Sequence, residues 1–89
     1  MSDARPNRRK HVVWKVIQKR GMLLNLESGE YFETGPVGLT VWELCDGRRT
    51  LDAVVESVAR RFATLPQRVA RDVGSFVSEL KRRDLIEMK

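Results

Sequence analysis

One change in the spacing of apolar residues, at Gly35-Pro36, constrains this chain more than any other feature. Before it, apolar side chains alternate or fall in β-branched runs; after it, they recur at helical spacing. A chain divided in this way folds as strands first and helices second. The strands must then form an antiparallel sheet whose apolar face the helices cover. At 89 residues there is room for one such domain and a modest core.

The strand half reads as three segments. Val12 to Gln18 is rich in β-branched residues and holds Trp14. After a break at Gly21, Met22, Leu24 and Leu26 alternate with Leu23, Asn25 and Glu27, the pattern of a half-buried strand. Glu30 to Thr34 follows, through either a two-residue loop, Ser28-Gly29, or a three-residue loop, Glu27-Ser28-Gly29, with Gly29 left-handed. Packing favours the longer loop, which sets Phe32 opposite Leu24 and Thr34 opposite Met22.

Three helices are expected after Pro36, a residue suited to a first helical turn. In the first, Val37, Val41 and Leu44 share a face flanked by Trp42 and Cys45, and Asp46-Gly47 ends the segment. The second starts behind Thr50 as N-cap and buries Leu51, Val54, Val55, Val58 and Phe62. The third opens with Thr64-Leu65-Pro66-Gln67, read as a capping box, and buries Val69, Val73, Phe76, Val77 and Leu80. The last two helices form a helix-turn-helix pair. The fold class expected is therefore α+β, winged helix-turn-helix-like, with a three-stranded antiparallel sheet followed by three helices.

The formal net charge of +5 is unevenly spread. Residues 1–20 carry Arg5, Arg8, Arg9, Lys10, Lys15, Lys19 and Arg20 against Asp3 alone, and the rest of the chain is nearly neutral. Residues 1–10 lack apolar periodicity and read as a flexible basic arm, with the folded domain spanning 11–89. Such an arm could lie on phosphates, which keeps a winged-helix DNA-binding protein as the alternative function. Asp72 and Glu79 interrupt Arg68, Arg71 and Arg82 on the third helix and disfavour a recognition helix. No apolar run is long enough for a membrane span or a signal peptide, so a cytoplasmic protein is expected.

An enzyme needs a nucleophile beside a base, a carboxylate pair, or a metal, and no such set is visible. Cys45 reads as a packing residue and His11 as a solvated surface residue. Neither a catalytic residue nor a metal or cofactor is expected. What remains is the free edge of the last strand. Its unpaired N–H and C=O groups can take up an extended peptide by β-augmentation. Whatever the loop length, Glu30 and Phe32 bond inward, leaving the backbone of Tyr31 and Glu33 on the open side.

The stretch Gly29-Glu30-Tyr31-Phe32-Glu33-Thr34-Gly35-Pro36-Val37-Gly38, followed by Val41-Trp42-Glu43-Leu44-Cys45-Asp46-Gly47-Arg48-Arg49-Thr50, resembles the PqqD-like family, named for coenzyme PQQ synthesis protein D. The resemblance runs from about residue 12 to 86 and departs at Thr34-Gly35, where many relatives have Leu-Asn. It implies a non-catalytic element that holds the leader of a ribosomally made precursor peptide. The leader would lie on the last strand beside the third helix, for a modifying enzyme that is often a radical SAM protein. Carried over by position, the peptide-binding residues are Glu30, Tyr31, Phe32, Glu33 and Thr34 on the strand and Arg68, Asp72, Phe76 and Glu79 on the helix.

Overall fold

The computed structural model describes residues 3–89. Its elements are β1 (Pro6–Arg8), β2 (Val12–Ile17), β3 (Arg20–Asn25), β4 (Tyr31–Thr34), α1 (Pro36–Leu44), α2 (Leu51–Arg61), α3 (Pro66–Arg82) and β5 (Ile86–Met88). β2, β3 and β4 form an antiparallel sheet in that order, and β1 pairs with β5 in a separate two-stranded sheet. The three-strand, three-helix order is the one expected; the second sheet is not.

That small sheet corrects the reading of residues 1–10 as a flexible arm. Met1 and Ser2 lie outside the described residues, but Pro6, Asn7 and Arg8 align with Met88, Glu87 and Ile86. Arg8 N–H donates to Cys45 O at 3.0 Å, Gly47 N–H to Pro6 O at 2.9 Å, and Arg9 N–H to Leu85 O at 3.0 Å. A segment with no apolar period of its own is thus ordered by two flanking backbones, a source of order that leaves no trace in side-chain pattern. The basic side chains are used as well. The Arg8 guanidinium donates to the carbonyls of Trp42 (3.0 Å) and Glu43 (2.7 Å) at the C-terminal end of α1, where a cation also complements the helix dipole.

Two corrections concern the β3–β4 hairpin. The register places Leu23 opposite Phe32 and Met22 opposite Glu33, and Asn25 N–H donates to Glu30 O at 2.9 Å. The loop therefore holds four residues, Leu26 to Gly29, neither two nor three. Asn25 explains it: its Oδ1 accepts from the N–H groups of Glu27 (2.9 Å) and Ser28 (3.1 Å), and Gly29 closes the turn at φ 78°. The same residue decides which face is buried. Gly21, Leu23 and Asn25 face the helices, whereas Met22 and Leu24 are half-buried and Leu26 is exposed, the reverse of the expected set.

The helices fill the other side of the sheet. Trp42, Val54, Val58 and Leu80 are fully buried with Leu23, and Leu85 and Ile86 close the core from the chain's end. α1 is rotated from its expected face: Leu39, Thr40, Val41 and Trp42 are buried, and Val37 is 45% exposed. Thr50 caps α2 as expected, its Oγ1 accepting from Ala53 N–H at 3.2 Å. The capping box of α3 does not form. Pro66 forces the residue before it into extended backbone, so Leu65 (φ −85°, ψ 141°) becomes the N-cap and Thr64 is displaced outside the helix. Among the described residues no helix is long and apolar enough to cross a membrane.

Candidate functional site: the open edge of β4

Among the described residues β4 is an outer strand with β3 as its one strand neighbour. Because Asn25 bonds to Glu30, alternation makes Leu23–Phe32 and Gly21–Thr34 the next hydrogen-bonded pairs. The N–H and C=O groups of Tyr31 and Glu33 consequently point to the open side. This is the parity expected from the sequence, preserved although the loop length differs, because both expected loops and the real one leave Glu30 bonded inward.

Beside this edge runs a cleft of about 390 Å³ between β4, α1 and α3, lined by Thr34, Val37, Gly38, Val41, Val69, Asp72, Val73 and Phe76. Phe32 packs on Phe76 beside it, with ring centroids 6.0 Å apart. The Arg83 guanidinium lies 5.1 Å from the Phe32 ring centroid, and its Nε is 2.6 Å from Glu79 Oε2. Gly38 makes the approach of the three elements feasible: a Cβ there would collide with Thr34 Oγ1 and come within 2.9 Å of Phe76 Cζ. The cleft floor is apolar, with Asp72 on one flank.

Of the residues singled out from the sequence, Thr34, Asp72 and Phe76 line this cleft, and Phe32 packs on Phe76 beside it. Glu30 sits at the hairpin closure, its N–H donating to Ser28 Oγ at 3.1 Å. The side chains of Tyr31 and Glu33 lie on the outer face of the sheet, opposite Leu24 and Met22, so only their backbones reach the edge. Glu79 is paired with Arg82 and Arg83. Arg68 is exposed and lines no part of the cleft. Missed were Val37, Gly38, Val41, Val69, Val73 and Arg83. The valines carry helical spacing and read as core; the place of Val37 at the cleft follows from the rotation of α1, and that of Arg83 over the Phe32 ring from the end of α3.

Two other sites of potential chemistry resolve differently. Burial pushes the Cys45 thiol up to about 12, and its Sγ lies 3.1 Å from Val41 O, the situation of a packing residue. His11 is not the solvated residue expected: its side chain is 15% exposed, with Nε2 3.2 Å from Asp84 Oδ2 and Nδ1 3.7 Å from Glu27 Oε2. Ligand-type atoms of His11, Glu27 and Asp84 lie within 4.8 Å of one another. The Arg9 guanidinium, 3.6 Å from Asp84, already supplies positive charge there, and the group ties the β3–β4 loop to the turn after α3.

Comparison with known proteins follows the same lines. The family model described as coenzyme PQQ synthesis protein D (PqqD) matches residues 20–86. Among solved structures, TbiB1 in complex with the TbiA(beta) leader peptide superposes with a TM-score of 0.81 at 26% identity, covering 91% of this chain and 94% of that one. Lasso peptide synthetase B1 complexed with the leader peptide gives a TM-score of 0.80 at 17% identity, over 94% of this chain and 99% of that one, a likeness of fold. No curated protein sequence matches the chain.

Proposed function

From the premise that this chain belongs to the PqqD family, we propose that it is a non-catalytic adaptor, holding the leader of a ribosomally made precursor peptide on the β4 edge and presenting it to a modifying enzyme. The observation that carries the reading is the outward backbone of Tyr31 and Glu33 beside an apolar cleft. An extended leader adds a fourth strand there, its alternate side chains entering between Phe32, Phe76 and Val69. Main-chain bonds supply affinity and the cleft supplies selectivity. Asp72 stands in the cleft and Arg83 over the Phe32 ring beside it, and the two opposite charges would set the polarity of the leader's flanks. The leader complexes of the two structural neighbours support the same use of this fold.

Proline at an outward-bonding position removes a donor to the leader and none to β3. Glu33→Pro is therefore expected to lower leader affinity at least about tenfold while the melt remains cooperative, a loss on the scale of one hydrogen bond or slightly more. Phe32→Pro removes a bond to Leu23 and should unfold the hairpin. Calorimetric titration with the leader of the precursor encoded beside this gene measures the first and thermal melting the second. A folded Glu33→Pro protein that binds as the parent does would rule out the β4 edge.

A further inference from the structure

The sheet has a second outer strand. Among the described residues β2 has only β3 as a strand neighbour, and the two-residue turn Gln18-Lys19, with φ of 51° and 66°, closes them on the pair Ile17–Arg20. A turn of this kind closes on a hydrogen-bonded pair. Leu26 N–H donating to His11 O at 2.9 Å falls on the same alternation. Val13, Lys15 and Ile17 thus bond to β3, and Trp14 and Val16 turn their N–H and C=O groups away from it.

Natural edges are guarded by proline, bulges, short length or charge. β2 contains no proline, keeps an unbroken register with β3 from Val12 to Ile17, and has Lys15 as its one charge. Val13, Trp14, Val16 and Ile17 are between 39% and 48% exposed. Next to the edge, Val16 borders a cleft of about 420 Å³ with Leu39, Glu43, Arg61 and the exposed Phe62. On the opposite face, Val13, Met22, Leu24 and Tyr31 border another of about 370 Å³. A strand laid along β2 would find a recess for each set of its side chains, an apolar one on the outer face and, on the inner face, a mixed one that Lys19, Thr40, Glu43 and Arg61 share with Val16, Leu39 and Phe62.

We propose that the β2 edge is a second strand-pairing site, which takes an extended acidic segment of a partner protein. The charge around it selects that occupant. Among the described residues Lys15, Lys19 and Arg61 have no carboxylate at ion-pair distance. Glu43 is the only acid at the Val16 cleft. A second copy of this chain would bring the same lysines against each other, and like charges across a strand pair repel. A segment with glutamate or aspartate flanking β-branched residues meets both requirements. The inference rests on the adaptor reading, since an adaptor must hold its cargo and its enzyme together, and two edges of one sheet allow both.

The test uses the full chain, with a short capped peptide of alternating valine and glutamate and its valine–lysine twin as probes. Amide hydrogen exchange is followed by NMR. The glutamate peptide is expected to slow exchange at Trp14 and Val16, the lysine twin to bind at least about tenfold more weakly at low salt, and the difference to shrink as salt screens the pairing. Val16→Pro should abolish the protection. Should that variant unfold, the exchange map and charge comparison on the parent decide alone. Equal binding of the twin, protection confined to Tyr31 and Glu33, none at all, or sedimentation of a dimer that protects Trp14 and Val16 would each overturn the proposal. The leader peptide, titrated separately, reports on Tyr31 and Glu33, so loss of the β2 site with leader binding intact leaves the adaptor function standing.

Discussion

Asn25 is 1% exposed, and both ends of its amide are engaged: Oδ1 by the N–H groups of Glu27 and Ser28, Nδ2 by the carbonyls of Arg83 (3.2 Å) and Asp84 (3.4 Å). One side chain therefore sets the hairpin loop and ties it to the end of α3. Asn25→Ala strands these buried groups and should cost about 2–3 kcal/mol. For a domain of this size that lowers Tm by roughly 10 °C or more, measurable by circular dichroism. Cys45 gives a second expectation at this scale. With its thiol pushed up to about 12 in the folded state, the native chain keeps a proton that the unfolded chain releases near its ordinary value of 9.0. Stability from this group is therefore present below pH 9 and lost as pH rises toward 12. Urea titrations from pH 8 to 11 should show a shallower alkaline decline in Cys45→Ala than in the parent, and thiol reagents at pH 8 should leave the folded parent unmodified.

At the scale of elements, helix positions were legible because caps and 3.6-residue spacing act within one segment: Pro36, Thr50 and the run from Val69 to Leu80 all fall where the sequence puts them. The edge of β4 was equally legible, since strand parity depends only on where the hairpin closes. Faces were not. Leu26 looks like part of an apolar stripe until Asn25 finds four backbone partners, and Val37 looks like core until Gly38 lets α1 roll against Phe76. β1 was the hardest to see, because its order comes from the backbones of Cys45, Gly47 and Leu85 rather than from its own side chains. Pro6 is nonetheless buried, and the backbone bonds made by β1 contribute about 0.5–1.5 kcal/mol each. Deleting residues 1–9 should therefore remove several kcal/mol of stability, a large share of the ~5–15 kcal/mol typical of a domain. A truncated chain that melts at the parent's temperature would show the β1–β5 sheet to be dispensable.

At the scale of the whole molecule, part of the positive charge is committed within the fold. Arg8 closes α1, Arg9 faces Asp84 and Glu87 at 3.6 and 3.7 Å, and Arg20 faces Glu33. Within the described residues, the basic side chains without a carboxylate partner, Lys15, Lys19, Arg61, Arg68 and Arg71 among them, are spread over β2, the β2–β3 turn, α2 and α3 rather than set in one stripe, which weakens the argument for the winged-helix DNA-binding alternative. Fluorescence anisotropy with a labelled duplex should give weak binding that vanishes by about 150 mM salt, with a log–log slope well short of the ~5 expected were every excess charge on a phosphate. One further feature shapes how this domain can be used. Arg5 and Lys89 exchange both backbone hydrogen bonds at 2.9 Å, so the described chain enters and leaves the fold through a single doorway. Neither β2 nor β4 takes part in that doorway. Grafted into a surface loop of another protein, the domain would hang from two adjacent stalks with both sheet edges still facing outward, as ready to receive strands as when it stands alone.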